Sequence, residues 1–237
     1  MGKKSLAVAF FEEPVYMGNE VVLILFFMLV NAVGGYGLAA ADWPQFRGPN
    51  GTGVSLDTGL PTQMGPHRNL VWKTPLPPGH SSPVLSGDRI FLTAIDGKKL
   101  LTICLDRNTG EVAWVREAPR PRTQPLNSTN NPASPTPVSD GKNVYVFFGD
   151  FGIISYRADG RERWRMPLGP FNNPNGPASS PILVDDLVVL VCDQETDSYL
   201  IALDKNDGHV RWKTERPEVT RVSQLRAFTD QQKERPS

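Results

Sequence analysis

Three tryptophans, Trp114, Trp164 and Trp212, each close a Gly-x-x-x-Trp step opened by Gly110, Gly160 and Gly208, and each step ends a longer pattern that begins with a Pro-led stretch. The copies run from Ser81-Ser-Pro-Val to Leu105-Asp-Arg-Asn-Thr-Gly-Glu-Val-Ala-Trp114, from Pro135-Thr-Pro-Val to Tyr156-Arg-Ala-Asp-Gly-Arg-Glu-Arg-Trp164, and from Ser179-Ser-Pro-Ile to Leu203-Asp-Lys-Asn-Asp-Gly-His-Val-Arg-Trp212. Trp-to-Trp spacings of 50 and 48 suit four-stranded propeller blades, whereas helical repeats have shorter periods. With 21 Gly and 22 Pro, the chain has the turn residues that many short strands need. The fold class is therefore all-β, a β-propeller of four-stranded antiparallel blades.

The turn signals divide each copy into four strands. The first copy gives Pro83–Ser86, Arg89–Thr93, Leu100–Leu105 and Val112–Arg116, the second Thr136–Ser139, Asn143–Phe148, Ile153–Tyr156 and Glu162–Met166. The third gives Pro181–Val184, Leu187–Val191, Tyr199–Leu203 and Val210–Thr214. Blades are thus expected at about 81–117, 133–167 and 179–215 within a propeller region spanning 42–216. The corner before each Trp suits a glycine at positive φ, and each Trp ring is expected between neighbouring blades. One more Trp-Lys-Thr stands at Trp72 without the three strands that should precede it, so 69–75 reads as an orphan outer strand. Residues 217–237 form a polar, unpatterned tail, expected to be disordered. Three blades plus one strand make about half of a ring of roughly six to eight, so the expectation is an incomplete propeller from a truncated or frame-shifted product.

Residues 1–41 stand outside the repeat. The apolar run Val21–Val30 and the small residues Leu38-Ala-Ala-Ala41 read as a signal peptide cleaved before Asp42, or as an N-terminal membrane anchor over 21–41. Either reading exports the chain to the periplasm or beyond. Charge is balanced at 25 basic and 25 acidic residues, so no global field recruits nucleic acid, and a membrane is met only through the N-terminal segment. Cys104 and Cys192 fall in non-adjacent blades, which excludes a disulfide on geometry and makes them buried apolar side chains.

The blade motif Leu-Asp-x-x-x-Gly-x-x-x-Trp, the opening Asp42-Trp-Pro-Gln-Phe-Arg-Gly-Pro-Asn50 and the Ser-Ser-Pro strand starts resemble exported bacterial proteins with pyrroloquinoline-quinone-like (PQQ-like) β-propeller repeats. The resemblance covers 42 to about 221 and implies a quinoprotein-like propeller of seven or eight blades. Quinoprotein dehydrogenases of this fold resemble one another in a paired-Cys ring, an Asp base and calcium ligands beside the quinone. This chain has no adjacent cysteines and no position that matches the base or the calcium ligands. PQQ and calcium therefore enter only through the resemblance, and no catalytic, cofactor-binding or metal-ligating residue is assigned.

Strand direction alternates along a blade, so the corner between strands two and three shares a face with the connection to the next blade. Three aspartates fall at that corner: Asp96 and Asp150 each 13 residues after Pro83 and Pro137, and Asp193 12 after Pro181. Such an Asp either accepts turn amides or forms an acidic rim for a cation or polyhydroxy ligand. The same face receives the long connections Pro119–Pro132 and Gly169–Ala178, the second carrying Asn172 and Asn173. Asp96, Asp150, Asn172, Asn173 and Asp193 are the candidate loop-face binding residues, for an unknown protein or polyhydroxy partner. Asp193-Gln-Glu195-Thr-Asp197 alternates carboxylates but lacks a calcium-loop pattern, and His67, His80 and His209 have no zinc spacing. Ser81-Ser82 and Ser179-Ser180 lack a paired His and read as repeat structure, and Asn127-Ser-Thr129 matches a glycosylation acceptor. The expected function is a non-catalytic, exported binding or scaffolding propeller. The alternatives are a PQQ- and calcium-dependent quinoprotein dehydrogenase and an outer-membrane protein assembly scaffold.

Overall fold

A computed structural model describes residues 41–216, which belong to the second of two compact units, divided between Ala40 and Ala41. The apolar run at 21–30, the cleavage position's leader side and the tail at 217–237 lie outside the described residues. Among the described residues twelve strands form three four-stranded antiparallel sheets. The first blade holds β1 (Val84–Ser86), β2 (Arg89–Asp96), β3 (Lys99–Asp106) and β4 (Val112–Ala118). The second holds β5 (Val138–Ser139), β6 (Asn143–Phe148), β7 (Gly152–Arg157) and β8 (Glu162–Pro167), and the third β9 (Ile182–Val184), β10 (Leu187–Cys192), β11 (Tyr199–Asp204) and β12 (Val210–Glu215). In each sheet the strands pair in chain order, the meander of a propeller blade. The strands extend one to three residues beyond several expected ends: β2 continues to Asp96.

The corner of the motif is built the same way in all three copies. Each third-to-fourth strand ladder slips by one residue beside the Trp, which pairs with Cys104, Ser155 and Ala202 respectively. The slip accommodates the corner that precedes it, where Gly110, Gly160 and Gly208 take φ of 71, 82 and 78°. These glycines have a second reason to lack a side chain. A Cβ at Gly110 would stand 2.4 Å from the ring of Trp72, at Gly160 2.8 Å from Trp114, and at Gly208 2.6 Å from Trp164. Each indole Nε1 donates to a carbonyl of the same corner, at Arg107 (3.0 Å), Ala158 (2.8 Å) and Lys205 (3.0 Å). A Trp on one element is thus clasped by the corner of the next blade.

Between the blades lie two cores. Phe91, Leu100, Cys104 and Trp114 meet Val146, Phe148, Ile154 and Tyr156 between the first and second blades. Tyr145, Phe147, Ile153 and Trp164 meet Val188, Leu190, Ile201 and Leu203 between the second and third. Trp114 and Trp164 are 8% exposed, but Trp212 is 40% exposed, because no described element presents a glycine corner to it. The expectation of a Trp between blades therefore holds for the first two copies and not for the third. Residues 69–75 were expected to form a strand; they pair with no strand among the described residues, and Trp72 and Thr74 dock on the first blade's corner. Cys104 lies in β3 and Cys192 at the end of β10, both buried as free thiols.

The Trp-Pro-Gln-Phe-Arg-Gly opening acts as a clasp on the short first strands. Trp43 exchanges backbone hydrogen bonds of 2.9 and 3.0 Å with Leu85 of β1, and Pro44 O accepts from Ser139 N of β5 at 2.8 Å. Leu85 and Ser139 occupy equivalent positions in their blades, so one short segment satisfies the same free edge twice. The Asp42 carboxylate adds a bond from Gly87 N at 2.9 Å. Gly48 (φ 68°) lies so close to Trp43 that a Cβ would meet the ring at 2.5 Å.

Candidate functional site

The connection from the first to the second blade, read as a Pro-rich loop, is a comb. Along Pro119-Arg-Pro-Arg-Thr-Gln-Pro125 exposed and half-buried residues alternate. Pro121, Thr123 and Pro125 are exposed, while Arg120, Arg122 and Gln124 turn inward onto the second blade's corner. Arg120 Nε meets Asp150 Oδ2 at 2.8 Å, and its Nη1 donates to Lys98 O at 3.1 Å, which ties the first blade's corner to the second. Arg122 Nη2 donates to Gly149 O at 3.0 Å and also to Leu168 O. Gln124 N donates to Asp150 Oδ1 at 2.9 Å and its Nε2 to Phe171 O at 2.6 Å.

The second connection repeats the theme with amides. Asn172 N donates to Gln194 Oε1 and Glu195 N to Asn172 O, both at 2.8 Å, and Asn173 Nδ2 reaches Asp193 O at 3.3 Å. The two connections are joined where Asn130 Nδ2 donates to Asn175 O at 2.6 Å. A continuous hydrogen-bonded path therefore runs over the loop face from Lys98 through Arg120, Asp150, Gln124 and Phe171 to Asn172 and Gln194.

This network shows where the corner aspartates sit. Asp150 is 3% exposed and both carboxylate oxygens serve the comb. Asp193 is buried, with Arg216 Nε 3.2 Å from its Oδ1. Asn172 and Asn173 sit against the Asp193–Gln194 backbone, while Asp96 stays apart, exposed at the end of β2. Four of the five candidate residues thus join the loops to the blades, and among the described residues no three His, Cys, Asp or Glu side chains gather as a metal site would require. A calcium-polarised quinone needs converging oxygen ligands; here the buried carboxylates face Arg120 and Arg216, so the described residues do not fit such a group. Burial pushes the thiols of Cys104 and Cys192 up to about 12, leaving neither as a thiolate at neutral pH.

Two cavities bear on binding. A cleft lined by Gln124, Asn130, Asn131, Ser134, Asp150 and Asn175 holds about 20 Å³, room for a water and not for a polyol. A larger, apolar cavity of about 380 Å³ lies on the opening segment, between Trp43, Pro49, Val54 and Leu56, a size suited to a small ligand. The clasp and the comb were not anticipated from the sequence, although the alternation of Pro or Thr with Arg, Arg and Gln over 119–125 was a legible signal for the second.

The fold is that of a β-propeller, and its blades carry PQQ-like repeats. The chain belongs to the PQQ-like repeat family: the family model described as "Outer membrane protein assembly factor BamB" matches residues 68–175 and again 127–231. Among solved structures, the quinohemoprotein alcohol dehydrogenase of Comamonas testosteroni is similar at 16% identity with a TM-score of 0.52, over 75% of this chain and 28% of that one. A europium-containing methanol dehydrogenase is similar at 17% identity with a TM-score of 0.47, over 58% of this chain and 25% of that one. BamB of Moraxella catarrhalis is similar at 15% identity with a TM-score of 0.36, over 56% and 50%. The chain thus spans between a quarter and half the length of these structures. No curated protein sequence matches it.

Proposed function

We propose that this chain is a non-catalytic, exported binding or scaffolding propeller module whose partner meets the loop face. The observation that carries the reading is the comb: the carboxylates that a metal or quinone site would draw on are committed to holding the inter-blade connections rigid. What the face offers outward is a set of short polar side chains on a fixed frame, Asn127, Ser128, Thr129 and Asn130 from the first connection with Glu195 and Thr196 from the third corner. Such a surface suits a polypeptide partner, and the cleft between Gln124, Asn130 and Asp150 holds only about 20 Å³. The family's outer-membrane assembly description supports an envelope protein as that partner, and the apolar run at 21–30 supports export.

Two measurements test the proposal. Purified full-length chain, titrated with PQQ and calcium ions, should show no saturable uptake and no alcohol-dependent dye reduction; saturable uptake with dye reduction would establish the dehydrogenase reading instead. A photo-crosslinker at Thr123 or Asn127, used in intact envelopes, should give one discrete adduct that an equivalent crosslinker on the opposite face, at Asn108, does not. Identical adduct patterns from both faces would remove the loop-face assignment.

A further inference from the structure

We infer that the cleft where the two long connections meet is a binding site for one water molecule, which donates to Gln124 Oε1 and bridges it to the polar groups of the wall. The orientation of the Gln124 side chain is the starting point. Its Nε2 donates to Phe171 O at 2.6 Å, and an amide turned the other way would set two acceptors, Oε1 and Phe171 O, against each other. Oε1 therefore lies beside Gly149 and Pro177, both in the cleft wall: a Cβ at Gly149 would stand 3.4 Å from it and 2.3 Å from the Pro177 ring. Buried there, Oε1 meets no donor of the protein. A buried carbonyl oxygen in that condition costs free energy, and native chains seldom leave one without a partner.

The local sequence explains why no protein donor reaches it. Pro132 and Pro177 stand in the wall, and a proline has no backbone N–H. Gly149 contributes no side chain and could not carry one against Pro177. Asn130 Nδ2 already donates to Asn175 O at 2.6 Å, and the Ser134 hydroxyl donates to Asn131 O.

The space has the size and polarity that a water needs. Its volume of about 20 Å³ exceeds the roughly 10–15 Å³ that one water occupies. A buried water makes about three hydrogen bonds, and the wall has the capacity for them. Asp150 Oδ1 and Oδ2 each accept one bond, from Gln124 N and Arg120 Nε, and each can accept another. Asn130 has a second amide hydrogen to give, and Ser134 Oγ can still accept. A cation is the poorer occupant, because Arg120 already neutralises Asp150 at 2.8 Å and the remaining polar groups of the wall are neutral. The bridge adds a second tie between the connections beside the Asn130–Asn175 bond.

A crystal structure of the full chain at high resolution should show one peak in the cleft, about 2.7–2.8 Å from Gln124 Oε1. In solution, oxygen-17 magnetic relaxation dispersion should count one fewer long-lived water in Gln124→Met than in the wild type. Asn172→Ala, which alters the second connection away from the cleft wall, should keep the wild-type count. The wild-type crystal decides by itself should Gln124→Met not fold. An empty cleft, a peak at about 2.4 Å as for a bound metal ion, an unchanged count in Gln124→Met, or the same loss in Asn172→Ala would each overturn the inference.

Discussion

The second and third blades carry the same motif in the same register, with the same ladder slip beside the Trp, yet they end differently. Trp164 on β8 lies under the Gly208 corner and is 8% exposed; Trp212 on β12 meets no such corner among the described residues and is 40% exposed, and every residue of β12 is exposed. Nothing within the two sheets accounts for the difference. It shows that the Gly-x-x-x-Trp step encodes a junction, not a blade: the Trp belongs to one repeat, and the glycine and carbonyl that receive it belong to the next. Stability in such a chain is carried by nearest-neighbour pairs.

The sharpest way to break this comparison is to truncate both rings. Trp164→Ala removes a ring packed on two blades and should cost about 3–5 kcal/mol, whereas Trp212→Ala should cost roughly 1 kcal/mol or less. Urea denaturation at a dilute chain concentration measures both. Equal losses would mean that Trp212 is covered in solution as fully as Trp164.

How much of this was legible beforehand follows from where each signal resides. The blades could be read because strand, turn and Trp recur within each copy, and the second blade's β6 matches its expected bounds, Asn143–Phe148. The corner glycines were readable as turn residues, but their contact with a Trp some 40 positions earlier was not, since no local pattern reports a clash between repeats. The binding candidates suffered most. Asp150 marks a functional corner equally well as a ligand or as an anchor, and its bonds from Arg120 and Gln124 could not be read from the sequence. The role of Trp43 was likewise hidden, because its two hydrogen bonds are made by backbone atoms, which any sequence possesses.

A second contrast lies between the comb on the second blade and a surface pair on the third. Arg120→Met leaves the buried Asp150 carboxylate without its guanidinium, which should cost about 3–5 kcal/mol, and a further Asp150→Leu should recover much of that loss. Lys205 meets Asp186 at 2.7 Å, but Asp186 is well exposed, so Lys205→Met should change stability by less than about 1 kcal/mol. Thermal denaturation of the three variants checks the order. A silent Arg120→Met would show that the comb does not hold the loop face.

The junction model can be sharpened with glycines alone. Gly160 and Gly141 both take positive φ, 82 and 88°, so alanine at either strains the backbone by about 1–2 kcal/mol. A Cβ at Gly141 meets nothing within 4 Å, whereas at Gly160 it falls 2.8 Å from Trp114. Gly160→Ala should therefore exceed Gly141→Ala by about 1–3 kcal/mol, the cost of overpacking, and should shift the fluorescence of Trp114. Matching losses with unshifted fluorescence would reduce the corner glycine to a turn residue.

The smallest effect concerns acid. Asp140, at the inner end of the second blade, accepts hydrogen bonds from Tyr145 Oη at 2.8 Å and from the Lys142 and Asn143 amides at 2.9 and 2.7 Å. Burial raises its carboxyl pKa, but the bonds from Asn143, Tyr145 and Lys142 outweigh burial and hold it below the usual carboxylate value. Tyr145 in turn lies beside Arg163, whose Nη1 donates to Lys205 O at 2.9 Å in the third blade's corner, so the network spans the junction. A depressed carboxyl pKa stabilises the fold above the unfolded value, about 3.9, and that contribution disappears as pH falls through the lower folded value. The wild-type urea midpoint should therefore decline more steeply below about pH 4 than that of Asp140→Asn, by a margin on the order of 1 kcal/mol, the net worth of a hydrogen bond. Parallel curves would show that Asp140 contributes equally in both protonation states, and that the acid sensitivity of the junction between the second and third blades arises elsewhere.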